Sequence, residues 1–96
     1  MKKNIGFVGC GKMASAIISG ILGSKEAQEY NVIGSEINNE IAKSASDRLG
    51  IKVFSDNKEL VKSSDIIFIA TKPNCVPEVL ENIKEELAPE KLVVSI

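Results

Sequence analysis

Small residues at three closely spaced positions form the most chemically informative pattern in the sequence. Gly9, Gly11 and Ala14 are spaced as G-x-G-x-x-A, directly after an apolar run at residues 5–8 and at the start of an amphipathic segment. The first glycine allows a sharp turn, and the second lets a phosphate approach the backbone. The alanine lets a helix pack closely against a strand. The pattern therefore predicts a strand, a tight turn and a helix whose first N–H groups and dipole attract a phosphate.

Apolar runs and amphipathic segments alternate along the rest of the chain. The runs predict five strands, at residues 5–8, 30–35, 51–54, 65–70 and 92–96, and the intervening segments predict four helices, at residues 12–22, 39–49, 58–62 and 76–87. The run DIIFIA has no polar alternation, which is typical of a central strand in a parallel sheet. This alternation indicates a Rossmann-type doubly wound α/β fold with the strand order 3-2-1-4-5.

Capping residues mark the predicted helix ends. Asn38 or Asn39 is expected to cap the second helix, and Asn74 the fourth. Gly23 and Gly50 are expected to end the first and second helices. The buried face of the first helix is expected to consist of Met13, Ala14, Ile17, Ile18 and Ile21.

The glycine turn and a second segment are expected to meet at one crevice. In this fold a ligand binds where strands 1 and 4 diverge, at their carboxyl ends. Thr71-Lys72-Pro73 follows the fourth strand and should therefore lie beside the turn. Lys72 can neutralise a phosphate or a substrate carboxylate there, although a lone lysine in a crevice is more often only solvated. These features predict a dinucleotide-binding site.

Glu36, at the end of the second strand, bears on the choice of cofactor. A carboxylate there can accept hydrogen bonds from the adenosine ribose and repels a 2′-phosphate, which favours NAD over NADP. The alternative is a glutamate that is only solvated. If Glu36 turned away, Ser35, Asn38 and Asn39 could bind the phosphate instead, so the predicted cofactor is NADP or NAD.

Asn57 and the two cysteines are the other residues with side chains that could do chemistry. The amide of Asn57 can reach the adenosine half of the cofactor or cap the short third helix. Cys10 is expected to be a small packing residue of the turn, because no base lies near it in the sequence. Cys75 has no recognisable catalytic partner.

Composition excludes several functions. The 96 residues carry a net charge of -1 and contain no Trp, one Tyr and three Phe, so no nucleic-acid surface is expected. The lack of histidine and the spacing of the two cysteines exclude a zinc site, so no metal is expected. No apolar run reaches membrane-spanning length, and the start MKKNIGFVG has no cleavage site, so a cytoplasmic protein with free thiols is expected.

Three segments of the chain occur in a specific order and spacing: IGFVGCGKMASAIISGIL, DNKELVKSSDIIFIATKP and LVVSI. Together they resemble the amino-terminal domain of the pyrroline-5-carboxylate reductases. The resemblance implies an enzyme that makes proline by reducing the cyclic imine 1-pyrroline-5-carboxylate with NADPH or NADH. It also implies that the cofactor is held by Val8, Gly9, Cys10, Gly11, Lys12, Met13, Asn57, Ala70, Thr71, Lys72 and Pro73.

Two features depart from that family. Many members carry Ser, Thr or Arg at the position of Glu36, which leaves the usual preference for NADPH open. The helical second domain, which builds the dimer and most of the imine site, has no counterpart in these 96 residues. Residues 1–96 are therefore expected to be the NAD(P)-binding domain of a longer homo-oligomeric enzyme, with its catalytic residues unassigned. The alternatives are another β-hydroxyacid or F420-type dehydrogenase, or a regulatory module that binds NAD(H) without chemistry.

Overall fold

A computed structural model describes residues 3–25, 29–87, 89 and 91–95. Within these ranges five strands form one parallel sheet in the order β3-β2-β1-β4-β5: β1 (Lys3–Val8), β2 (Tyr30–Ser35), β3 (Lys52–Phe54), β4 (Ile66–Ile69) and β5 (Leu92–Ser95). The same ranges contain four α-helices that connect successive strands: α1 (Lys12–Leu22), α2 (Asn39–Leu49), α3 (Asn57–Lys62) and α4 (Val76–Ile83). The predicted fold class and strand order are confirmed.

Helices cover both faces of the sheet, so the core has two layers. On one face, Ile5 and Phe7 of β1 pack with Ala14 and Ile18 of α1. On the other face, Val8 packs with residues of α3, β4 and α4, namely Leu60, Val61, Ile67, Ile69, Val79 and Ile83. The pleat of a strand sends successive side chains to opposite faces, which explains why neighbouring residues of β1 serve different layers.

β4 is a central strand, as its uninterrupted apolar sequence indicates. It pairs in parallel with β1 on one side and β5 on the other. Ile67 and Ile69 are fully buried in one layer, whereas Ile66 and Phe68 pack half-buried against the other. The ring of Phe68 stacks on that of Phe7, its partner in register, with 4.9 Å between the ring centroids. Both faces of β4 therefore contribute to the core.

The ends of α1 and α2 follow the predicted signals. The Oδ1 atom of Asn38 accepts a hydrogen bond from the N–H of Ile41 at 3.0 Å and so caps α2. Gly50 ends α2 in the left-handed conformation, with a φ of 68°. Gly23 ends α1 with an ordinary negative φ of -87°.

α4 begins at residue 76 as predicted, but the predicted N-cap, Asn74, is wrong. A short 3-10 turn, Pro73–Cys75, precedes this helix, and the N–H of Cys75 donates to the carbonyl of Lys72 at 2.8 Å. The N-cap position is therefore Cys75, which makes no side-chain capping bond. Asn74 lies inside the turn, one residue too early to cap the helix.

Two further expectations about the helices are wrong. α4 ends at Ile83 rather than Leu87, because a second 3-10 turn, Lys84–Glu86, follows it. Leu87 nevertheless packs against the core. Met13 is 62% exposed, because it lies in the first turn of α1, beyond the carboxyl end of β1, and Ser15 is buried instead.

Strand ends differ slightly from the prediction. β1 begins at Lys3, β4 is limited to Ile66–Ile69, and the predicted last strand residue, Ile96, lies outside the described residues. In the described part of the chain, no helix has the length and apolar character needed to cross a membrane.

Candidate dinucleotide site

A cleft of about 550 Å³ opens at the carboxyl edge of the sheet. Its walls come from the ends of β1 and β2, the glycine turn, the segment after β4, and the helices α2, α3 and α4. Most of the cofactor-binding residues predicted from the sequence line it: Val8, Gly9, Gly11, Ser35, Glu36, Asn57, Ala70, Thr71 and Lys72. The fold thus brings the glycine turn and the segment after β4 to one site.

The other predicted residues lie around the cleft. Cys10 is buried within the turn, and Lys12 and Met13 are exposed in the first turn of α1. Pro73 begins the 3-10 turn that follows Lys72. At Lys12 and Met13, the groups suited to a ligand are the backbone N–H groups at the helix start.

The two glycines of the turn are small for different reasons. Gly9 has a φ of 96°, and a Cβ there would lie 3.1 Å from the carbonyl oxygen of Ala70, so the fold itself requires glycine. Gly11 has a φ of -73° with extended backbone, which any residue adopts. A Cβ at Gly11 would meet no heavy atom of the described residues within 4 Å. Neither backbone strain nor packing therefore requires glycine at position 11, and the open space lies at the cleft.

The N-terminus of α1 carries no side-chain cap. Its N-cap residue is Gly11, and its first turn contains no acidic residue. By contrast, Asn38 caps α2, and the Oδ1 atom of Asp56 caps α3 by accepting the N–H of Lys58 at 3.0 Å. The first N–H groups of α1 and the positive end of its dipole are therefore available to an anion in the cleft.

Glu36 bridges the glycine turn and the start of α2. One carboxylate oxygen accepts the N–H of Cys10 at 3.0 Å, and the other accepts the N–H of Asn38 at 3.1 Å. The backbone N–H of Glu36 donates to the carbonyl of Phe54 at 3.0 Å. This half-buried carboxylate is thus held at the wall of the cleft rather than free in solvent.

Asn57 is held by the last residue of β2. The hydroxyl of Ser35, which is fully buried, donates a hydrogen bond to the Oδ1 atom of Asn57 at 2.6 Å. The capping role considered for Asn57 belongs to Asp56, because Asn57 is the first residue of α3 itself. The Asn57 side chain therefore lines the cleft without serving the helix end.

Cys10 packs beneath the turn. Its Sγ atom lies over Gly34, where a Cβ would come within 2.7 Å of the sulfur, and it donates to the carbonyl of Ser35 at 3.5 Å. Burial, with a smaller contribution from the negative charge of Glu36, raises the pKa of the Cys10 thiol from 9.0 to about 11. At neutral pH it is a protonated packing residue and not a nucleophile.

The sequence reasoning missed part of the cleft wall. Residues of α2 and its approach, of the 3-10 turn before α4, and of α4 itself also line it: Ile37, Ile41, Cys75, Glu78, Val79 and Asn82. Ile37 is 80% exposed, and an isoleucine directly after a polar strand end was an available signal. Glu78 and Asn82 lie four positions apart on one face of α4, beside the face through which Val79 enters the core.

Two observations bear on the kind of ligand. The Oγ1 atom of Thr71 is buried and has no hydrogen-bond partner in the described ranges. Among the described residues, no cluster of three or more His, Cys, Asp or Glu side chains could hold a metal ion.

A family model described as "NADP oxidoreductase coenzyme F420-dependent" matches residues 4–96. The chain belongs to this family. It is 39% identical over 94 residues to the pyrroline-5-carboxylate reductase of Methanosarcina acetivorans, a match that covers 98% of this chain and 35% of that protein. The resemblance to pyrroline-5-carboxylate reductases expected from the sequence is confirmed.

Solved structures of related proteins have the same fold as this chain. A pyrroline-5-carboxylate reductase from Coxiella burnetii superposes with a TM-score of 0.87 at 24% identity, over 100% of this chain and 36% of that one. The Plasmodium falciparum pyrroline carboxylate reductase with NADP bound has a TM-score of 0.74 at 31% identity, over 98% of this chain and 33% of that one. The chain thus spans about a third of the length of these relatives.

Proposed function

We propose that this chain is the dinucleotide-binding domain of a pyrroline-5-carboxylate reductase. In this role it binds NADP(H) or NAD(H) in the cleft, while a longer protein reduces 1-pyrroline-5-carboxylate to L-proline. The decisive observation is the open space at Gly11, in front of the uncapped N-terminus of α1. Neither the backbone conformation nor packing requires a glycine at this position. The names of the relatives supply the substrate class.

The residues present fit a dinucleotide. The pyrophosphate fits the space at Gly11, where the first N–H groups of α1 and the cation of Lys72 offset its charge. The Oγ1 atom of Thr71, which has no hydrogen-bond partner among the described residues, is a further polar group at the cleft. Glu36 can accept hydrogen bonds from the adenosine ribose.

The chain positions the cofactor rather than reacting itself. Gly9 is held by its N–H bond to the carbonyl of Ser35 at 2.9 Å, which fixes the turn before a ligand arrives. Ile37 and Val79 contribute apolar surface that excludes water from a planar base. When bound, the reduced nicotinamide supplies the hydride. The residues that bind the imine are assigned to the remaining two thirds of the longer enzyme.

Calorimetric titration of the 96-residue chain with NADPH and with NADH tests the cofactor role. The wild type should bind, and Gly11→Val should abolish binding, because its side chain fills the space proposed for the pyrophosphate. Gly20→Val is the matched control: Gly20 is exposed in α1, and a Cβ there also meets nothing within 4 Å. Both variants should unfold at the wild-type temperature. Unchanged affinity in a folded Gly11→Val variant, or a wild type that binds neither cofactor, would contradict the proposal.

A second candidate function comes from the family description, which names coenzyme F420. An F420-type NADP oxidoreductase would use the same cleft for NADP and a different second substrate. The names of the curated relatives favour the imine reductase. Turnover assays of the longer enzyme with 1-pyrroline-5-carboxylate and with F420 separate the two functions.

A further inference from the structure

Ser35 and Asn57 form a hydrogen-bonded pair that links the core to the cleft. Ser35 ends β2 and is completely buried, whereas Asn57 begins α3 and is half-buried at the cleft wall. The Ser35 hydroxyl donates to the Asn57 Oδ1 atom at 2.6 Å. Since Asp56 already caps α3, this bond is not needed to start the helix.

The hydrogen bond from Ser35 determines how the Asn57 amide is oriented. An asparagine amide carries an acceptor oxygen on one side and two N–H donors on the other. With Oδ1 anchored by Ser35, the Nδ2 group points away from that hydroxyl. Among the described residues Nδ2 donates to no other oxygen, and it is not a buried unpaired atom, so its N–H groups are available to a ligand.

Reversal of the amide would be costly. It would place the N–H donors against the Ser35 oxygen and leave the hydroxyl proton without its acceptor. In the part of the chain that the structure describes, the Ser35 hydroxyl donates to no other group. An unsatisfied hydroxyl at a fully buried position destabilises the reversed arrangement.

We infer that Ser35 is a positioning residue for cofactor binding, whose buried hydroxyl holds the Asn57 amide so that its N–H groups face the cofactor. The acceptor is an oxygen at the adenosine end, either a ribose hydroxyl or a 2′-phosphate oxygen, because Ser35 directly precedes Glu36 at that end of the cleft. This inference rests on the proposed function and adds to it a role for a residue that does not itself need to touch the ligand.

Dissociation constants for NADPH and NADH, measured for a set of variants, test the pair. Ser35→Ala should weaken binding about three- to tenfold, the worth of one buried hydrogen bond, and Ser35→Thr, which keeps the hydroxyl, should restore it. Asn57→Ala should weaken binding at least as much. The double variant should bind no worse than Asn57→Ala alone, because the two residues act as one unit.

Ser64→Ala is the matched structural control. Ser64 is also buried, at 1% exposure, and its hydroxyl donates a bond of the same 2.6 Å length, to the carbonyl of Leu60, outside the cleft. Its loss should lower the free energy of unfolding as Ser35→Ala does, yet leave both dissociation constants unchanged. If Ser64→Ala weakens binding as much as Ser35→Ala, the effect is one of general stability and the positioning role is wrong.

Nuclear magnetic resonance of the 15N-labelled chain reports the amide directly. The Asn57 side-chain NH2 signals should shift on addition of adenosine 2′,5′-bisphosphate, and Ser35→Ala should remove that shift. A matching shift with 5′-AMP identifies the ribose as the acceptor, and a shift confined to the bisphosphate identifies the 2′-phosphate. No shift with either ligand overturns the inference.

The two levels of failure are distinguishable. A wild type that binds neither NADPH nor NADH contradicts the proposed function itself. A wild type that binds, together with Ser35→Ala at wild-type affinity or a double variant with additive losses, contradicts only the positioning role of Ser35.

Discussion

At the scale of single residues, Glu36 places a carboxylate at the end of the cleft that is proposed to bind the adenosine. Its carboxylate is tied to the N–H groups of Cys10 and Asn38, so it cannot turn away without losing two charge-assisted hydrogen bonds. Ser35, one of the groups considered as a substitute phosphate ligand, donates its proton to Asn57 instead. The structure therefore strengthens the expectation that this carboxylate faces whichever adenosine ribose binds.

Glu36→Ser should raise the affinity for NADPH relative to NADH by about tenfold or more. The physical reason is repulsion between the carboxylate and the 2′-phosphate, on the order of 1–3 kcal/mol at a partly exposed site. The ratio of the two dissociation constants, at one fixed salt concentration, measures the effect. Glu40→Ser removes an exposed acid from the first turn of α2 and should leave the ratio unchanged. A constant ratio in Glu36→Ser would show that Glu36 does not sense the ribose substituent.

Cys10 should make the stability of the fold depend on alkaline pH. Because burial raises its pKa from 9.0 to about 11, the unfolded chain releases the thiol proton before the folded chain does. The free energy of unfolding is therefore unaffected by this thiol below pH 9. It decreases as the pH rises through 11, by roughly 2–3 kcal/mol in total. Urea unfolding of the wild type and of Cys10→Ala across this range isolates the effect. Parallel pH profiles for the two proteins would rule it out.

At the scale of secondary-structure elements, the helices differ in how their ends are formed. α1 and α2 both end at glycine, but with opposite backbone conformations: Gly23 has a φ of -87° and Gly50 a φ of 68°. An L side chain is strained only in the second case. The helix starts also differ: Asn38 caps α2, whereas α1 has no side-chain cap, and its first N–H groups are the ones proposed to bind a ligand.

Gly50→Ala should destabilise the protein by about 1 kcal/mol, because the left-handed conformation disfavours a Cβ. Gly23→Ala is the control at the equivalent position of α1 and should be neutral or slightly stabilising. At Gly50 a Cβ meets none of the described residues within 4 Å, so any loss of stability reports backbone strain. Chemical denaturation of both variants measures the difference. Equal stabilities would mean that α2 ends differently in solution.

At the scale of the whole molecule, the chain covers about a third of the relatives it matches. The cleft nevertheless combines residues of three helices, α2, α3 and α4, with the ends of β1 and β2 and the segment after β4. A complete cofactor site and an incomplete reductase are therefore expected in the same 96 residues. The compartment, the homo-oligomeric state and the lack of nucleic-acid and membrane partners stay predictions.

The 96-residue chain should bind cofactor weakly and show no reduction of 1-pyrroline-5-carboxylate by NADPH or NADH. The reason is that the groups proposed to bind the imine belong to the rest of the longer enzyme. Absorbance at the wavelength of the reduced nicotinamide follows the reaction, with a full-length reductase of the family as the positive control. Measurable turnover by this chain would place the catalytic site within the cleft itself.

The sequence by itself determined the fold class, the strand order and the edge of the sheet at which the cleft opens. These follow from local signals: the G-x-G-x-x-A spacing, the period of each apolar pattern, and capping residues such as Asn38 and Gly50. The chirality of βαβ connections then restricts the strand order, and parallel strands end at the same edge of a sheet. Local chemistry and general rules of topology were sufficient for this part.

Tertiary structure alone decided which side chains meet at the cleft. Met13 is exposed because the first turn of α1 extends past the sheet, and Asn74 fails to cap α4 because a 3-10 turn places Cys75 at the N-cap position. The bond between Ser35 and Asn57 and that between Cys10 and Glu36 join residues far apart along the chain. Such contacts depend on how far each element extends and how it is rotated, to within an ångström, and no local pattern in the sequence encodes these distances.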